Sequence, residues 1–100
     1  MFYQIKKILV KEGHSSNVID RFSKKGMLIE QQPGFLDKQV LVKKSRRGDE
    51  EVMVMISWQS EQDWKNWEKH PDHIAGHRAK IGQPKPDYIL ESSQDIYDVI

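Results

Sequence analysis

Three histidines lie within eight residues of one another: His70, His73 and His77. His73 and His77 are four apart, so on a helix both imidazoles fall on one side. That spacing can hold a divalent metal between two rings. No HExxH pattern accompanies it, no third ligand stands at a set spacing, and the chain has no cysteine. The same residues also read as two solvated histidines near a helix C-terminus, where the dipole favours a positive ring. A third reading makes His77 alone an axial ligand to heme iron, a role a neutral imidazole fills. Spacing does not choose among the three.

All three tryptophans fall in the stretch from Trp58 through Trp64 to Trp67. Trp58 ends an apolar run and reads as core. Trp64 and Trp67 are three apart and read either as core or as walls of an apolar pocket for a flat aromatic ligand. Other features carry less chemistry. Arg47-Gly48-Asp49 reads as a turn. The basic run at residues 43–47 meets Asp49-Glu50-Glu51 at once and reads as a solvated hairpin tip. There is no glycine-rich phosphate loop and no Ser-His-Asp arrangement.

The elements that must position these residues follow from periodicity. Residues 2–10 alternate as a strand, with Tyr3, Ile5 and Leu9 on one face and Phe2, Ile8 and Val10 on the other. Ser15 or Ser16 can cap a helix carrying Val18, Ile19 and Phe22, and Gly26 suits its C-terminal end. Residues 27–33 are expected to connect. Gly34 then opens a strand with Leu36, Val40 and Val42 facing one way and Phe35, Gln39 and Leu41 the other. A hairpin around Gly48-Asp49 leads to a strand at residues 51–58. Its two faces are both apolar: Val52, Val54, Ile56 and Trp58 against Met53 and Met55. Such a strand needs cover on both sides. Its own helices supply one layer, and a second copy of the chain is expected to supply the other.

Ser60 and Asp63 predict the start of a helix bearing Trp64 and Trp67. His70-Pro71 ends it, and Pro71 suits the first position of another helix at residues 72–80, with Ile74 and His77 on one face. Residues 82–86 form a stiff, proline-bearing linker. Residues 88–100 are a last extended segment with a bend expected near Ser92-Ser93. The order β-α-β-β-α-α-β predicts an α+β, ferredoxin-like unit over residues 1–100.

Bulk properties narrow the function. The chain has 100 residues with a formal net charge of +1, so nothing marks a nucleic-acid binder. Hydrophobic residues make up 37% and charged residues 31%, as in an ordinary globular domain. The lack of cysteine fits a reducing compartment. The N-terminal stretch mixes apolar residues with Lys6, Lys7 and Lys11 and reads as mature structure rather than a leader. No apolar run reaches membrane-spanning length. The expected location is the cytoplasm, with no membrane partner.

Taken together, the order and spacing of several segments resemble a known family. They run from Arg46-Arg47-Gly48-Asp49 to Trp58-Gln59-Ser60-Glu61, then Asp63-Trp64-Lys65-Asn66-Trp67, His73-Ile74-Ala75-Gly76-His77, and Gly82-Gln83-Pro84-Lys85-Pro86-Asp87-Tyr88. Met1-Phe2-Tyr3-Gln4 and Val18-Ile19-Asp20-Arg21-Phe22-Ser23 add to the likeness. The chain resembles the bacterial heme-degrading monooxygenases of the antibiotic-biosynthesis-monooxygenase superfamily, the IsdG-like enzymes and above all their HmoA-type relatives. The resemblance implies ferredoxin-like domains whose sheets pair into a dimeric β-barrel. It implies heme as both cofactor and substrate, with O2 and electrons from a reductase or small-molecule reductant opening the ring and releasing iron.

Residue by residue, the resemblance implies that His77 binds the iron and Trp67 presses on the porphyrin and buckles it. Phe22 and Trp64 would contribute apolar pocket surface. One position departs: the first strand of IsdG-like enzymes carries an asparagine that hydrogen-bonds close to the iron, and Lys6 stands here. Lysine lacks the amide's acceptor and could instead hold a heme propionate or supply a proton. Two other classes of function remain open: a cofactor-free monooxygenase acting on a quinol or polyketide, and a heme-binding protein without turnover.

Overall fold

The computed structural model describes residues 1–44, 47–83 and 85–100. The hairpin tip at Ser45 and Arg46, and Pro84 in the linker, lie outside the described residues. The chain runs β1 (Phe2–Val10), α1 (Ser15–Phe22), a short 3-10 turn (Leu28–Gln31), β2 (Phe35–Val42), β3 (Glu50–Trp58), α2 (Glu61–Glu68), α3 (Pro71–Lys80) and β4 (Ile89–Asp98). The four strands form one antiparallel sheet in the order β2-β3-β1-β4. This is the expected α+β, ferredoxin-like arrangement.

One face of that sheet is the core. Phe2, Gln4, Ile8 and Val10 of β1 are buried there with Val52, Val54, Ile56 and Trp58 of β3. The alternation of β1 puts Lys6 on the same face, half-buried among them. Two apolar clusters fill the space beneath the helices. One joins Phe2, Ile29, Val54, Ile56, Trp58 and Trp67; the other joins Ile8, Val10, Val18 and Val52. Phe22 packs against both.

Several local expectations change. In β2, a register shift between Phe35 and Asp37 makes Leu36 an extra residue. Phe35 therefore turns to the core side, edge-on to Trp58 at 5.9 Å, while Leu36 is half exposed. The simple alternation had put Phe35 opposite Val40. At the start of α1, His14 takes the cap position and neither Ser15 nor Ser16 caps the helix with its side chain. Glu50, from the far strand β3, instead accepts the backbone N–H groups of Gly13 and Ser15. The Ser15 side-chain hydroxyl first, and then these backbone donors, hold its carboxyl below the usual glutamate value. Gly26 has a positive φ but lies beyond the helix end, which Ser23 caps. The expected connector contains the 3-10 turn, steadied by Lys38 reaching Glu30 and the carbonyl of Lys24. In β4 the irregularity sits opposite Leu9 and Val10, near Leu90, rather than at Ser92-Ser93.

The second helical region starts and stops as expected. Ser60 accepts the N–H of Asp63 and caps α2. His70 Nδ1 accepts the N–H of Asp72, with Pro71 as the first residue of α3. Gly34 has a φ of +84°, and a Cβ there would lie 2.2 Å from Asp63 Cγ. Only glycine allows α2 to start that close to the mouth of β2. No helix among the described residues is long and apolar enough to cross a membrane.

Candidate functional site

The helix α2 delivers Trp67 inward and α3 delivers two histidines beside it. Trp67 is 7% exposed and packs in the larger cluster. The His73 ring lies 4.4 Å from the Trp67 ring and the His70 ring 5.7 Å from it. The Nε2 atoms of His73 and His77 are 3.1 Å apart, so one ring carries the shared proton. His73 Nε2 is also 3.4 Å from Glu68 Oε2 at the end of α2. Burial pushes the His73 imidazole below the usual histidine value. The Glu68 carboxylate opposes that shift, and His77 and Lys6 reinforce it. His73 is therefore half-buried and favoured in its neutral form, while His77 sits at the surface. Among the described residues no group of three or more histidine, cysteine or carboxylate side chains converges on one point. The pair is thus two imidazoles with one carboxylate beside one of them, not a closed protein cage for a metal.

Lys6 connects this cluster to an open cleft. Its ammonium lies 5.7 Å from the centre of the Phe22 ring and is close enough to His73 to act on its charge. On the other side, Lys6 lines a cleft of about 830 Å³ with Ile8 of β1, Arg21 of α1, Gln83, Lys85 and Pro86, and Ile89, Ser92, Ser93 and Gln94 of β4. Among the described residues, the cations Lys6, Arg21 and Lys85 line it and no carboxylate does. Ile8, Pro86 and Ile89 give it apolar surface. The cleft therefore suits a ligand with an apolar body and acidic groups.

The residues singled out in the sequence fall into two groups. Trp67 and His77 are brought together through His73, and Lys6, which lines the cleft, places its ammonium over the Phe22 ring. Trp64 stands farther off, 5.5 Å from the Phe2 ring, with its indole N–H buried and unpartnered. Sequence reasoning missed Gln4, which is 1% exposed. It accepts the Trp58 indole N–H at 3.3 Å and donates to Gln94 Oε1 at 3.2 Å. The signal was present: Gln4 and Lys6 interrupt the otherwise apolar face of Phe2, Ile8 and Val10.

The described geometry can be set beside known proteins. Residues 1–79 match the family described as antibiotic biosynthesis monooxygenase. The chain is 54% identical to the heme-degrading monooxygenase HmoA of Bacillus subtilis over 99 residues, covering 99% of this chain and 91% of the relative. A crystal structure of an antibiotic biosynthesis monooxygenase from Bacillus cereus superposes with a TM-score of 0.84 at 49% identity, covering 98% of this chain and 89% of that one. The heme-degrader MhuD of Mycobacterium tuberculosis, solved with two hemes in its active site, shares the fold. Its TM-score is 0.69 at 22% identity, with 100% of this chain and 96% of that chain covered. The family match over most of its length and the full-length likeness to a curated relative agree, and the chain belongs to the antibiotic biosynthesis monooxygenase family.

Proposed function

We propose that this chain is a heme-degrading monooxygenase whose whole length, residues 1–100, forms one such domain. The observation that carries the reading is the alignment of an imidazole pair, an inward tryptophan and a cation-lined cleft along one side of the sheet. The donor set fits heme. The cations Lys6, Arg21 and Lys85 complement its carboxylates, and Ile8, Pro86 and Ile89 complement its apolar plane. Heme is the substrate, and its iron supplies the means of activating O2 with electrons from an external reductant, either a reductase or a small molecule.

The chain's own residues have distinct tasks in this reading. His77 would hold the heme iron through its Nε2, which lies 3.1 Å from His73 Nε2. Burial favours the neutral form of His73, so positive charge is disfavoured beside His77. Trp67 presses on the porphyrin, its own position fixed by the cluster behind it. Phe22 and Trp64 bound the apolar side. Lys6 either anchors a propionate or hands on a proton.

The test is a hemin titration followed by ascorbate under air. We expect a Soret shift, then its loss as the ring opens. His77→Ala should abolish both. If His77→Ala behaves as the parent while His73→Ala does not, the ligand is His73.

We also propose a homodimer that closes into a β-barrel. The sheet face away from the helices carries Tyr3, Ile5, Leu9, Leu41, Met53, Met55 and Tyr97, and among the described residues no helix lies over it. A second copy covers that face and offsets the small core of a chain this size. Sedimentation should give a dimer at micromolar concentration; a stable monomer would overturn this assembly. The absence of cysteine fits a cytoplasmic enzyme.

A further inference from the structure

A tryptophan indole has one N–H and no acceptor. Trp58 is fully buried and its N–H meets Gln4 Oε1 at 3.3 Å. Gln4 is itself 1% exposed, so water is not at hand to satisfy an inverted amide. The carbonyl of Gln4 is thus committed to Trp58, and its NH2 group must face the other way. There it donates to Gln94 Oε1 at 3.2 Å. The same logic then passes to Gln94. Its oxygen is committed to Gln4, so its two N–H bonds remain for the space on its far side.

That space is the cleft. Gln94 lines it and sits directly across from Lys6 in the β1–β4 ladder. The donor-only indole therefore sets, through two amides, which end of Gln94 a ligand meets. With Lys6, Arg21 and Lys85 around the same cleft and no carboxylate among the described lining residues, the matching acceptor is an anionic oxygen.

We infer that Gln94 is a ligand-binding residue that donates an N–H to a carboxylate of the bound ligand, its amide oriented by Gln4 and Trp58. The inference rests on heme occupying this cleft, its propionates being the carboxylates. Gln94 touches ligand; Gln4 and Trp58 are positioning residues. A polar residue on an edge strand would otherwise turn freely in solvent, and here the buried relay removes that freedom before the ligand arrives.

The experiment compares hemin with hemin dimethyl ester, in which both carboxylates are blocked, by Soret titration of the full chain. Gln94→Glu still offers an oxygen to Gln4 but loses both donors and adds a negative charge. It should weaken hemin binding roughly tenfold to hundredfold, the range of one charge-assisted hydrogen bond. Gln94→Leu should lose less than Gln94→Glu. The ester should bind parent and Gln94→Leu alike.

Trp58→Phe probes the relay through a separate signal. In ligand-free protein the side-chain amide resonances of Gln4 and Gln94 should shift or broaden once the indole N–H is gone. Sharp, unmoved resonances in a folded Trp58→Phe would overturn the orienting role. Gln94→Glu binding hemin within twofold of the parent, or Gln94→Leu losing as much affinity for the ester as for hemin, would overturn the carboxylate contact. A parent that shows no Soret shift would sink the heme reading and this inference together, whereas parental binding with unchanged Gln94→Glu affinity sinks this inference alone.

Discussion

Strands β3 and β4 flank the same central strand, pair with it in the same antiparallel sense, and meet opposite fates. On the helix side β3 presents Val52, Val54, Ile56 and Trp58, all buried. On that side β4 presents Ser92, Gln94 and Ile96, all exposed. The helices cover the β3 half and stop short of β4. What the uncovered half leaves is the cleft, bounded by Lys6, Arg21 and the linker. Packing stability and ligand access are thus divided across β1 rather than blended over the sheet, with the Trp58–Gln4–Gln94 chain as the polar bridge between the halves.

The largest expected contrast is in stability. Ile56→Ala removes a side chain that is 3% exposed and should cost roughly 2–5 kcal/mol. Ile96→Ala, at 42% exposure, should cost no more than about 0.5 kcal/mol. Urea denaturation of both variants checks this. Equal losses would mean that β4 is packed like β3 and that the cleft is not open.

A smaller contrast separates the two tryptophans of α2. If Trp67 presses on the porphyrin as proposed, Trp67→Phe should slow heme degradation more than it weakens hemin affinity. Some stability, on the order of 1–3 kcal/mol, should go with it, since Trp67 belongs to the main cluster. Trp64→Phe should be nearly neutral in both respects. It removes an indole N–H that is buried without a partner, which offsets part of the lost packing. Single-turnover rates and thermal unfolding of the pair decide the matter. Parental turnover in Trp67→Phe removes that residue from the mechanism.

The smallest effect belongs to Glu50, at the start of β3. Its carboxyl is held below the ordinary value by hydrogen bonds from the Ser15 side chain and from backbone N–H groups, so the folded state favours the ionised form. The stabilisation is complete above the ordinary glutamate range and is lost as pH falls through the depressed value. Glu50→Gln should lower the melting temperature slightly at neutral pH and flatten the acid limb of the stability profile. An unchanged acid limb would show that this tie does not contribute.

Much of this division was legible in the sequence. The element order and the two-sided apolar pattern of residues 51–58 follow from alternation, and the breaks at Ser60 and His70-Pro71 follow from cap and proline chemistry. The bulge at Leu36 was not, because a strand with one extra residue looks like an unbroken alternation until its partner is known. The cap on α1 comes from Glu50, a contact across more than thirty residues that no local rule contains. At the site, Trp67 and the histidines were visible as a cluster. Gln4 and Gln94 were not, since a glutamine in a strand ordinarily reads as solvent-facing; only its parity with Phe2 and Ile8 betrays it.

The ladder between β1 and β4 has a consequence for the chain as it is made. Of the four strands of this sheet, β1 leaves the ribosome first and pairs on one side with β4, which follows the other three. Until residues 89–98 emerge, that side of β1 presents a row of unpaired N–H and C=O groups from Phe2 to Val10. In that interval the central strand is half-paired and exposed to capture by other strands. A premature stop anywhere in the linker would leave that edge permanently open. Truncated products should aggregate even though the apolar residues of β1, α1 and β3 are all in place.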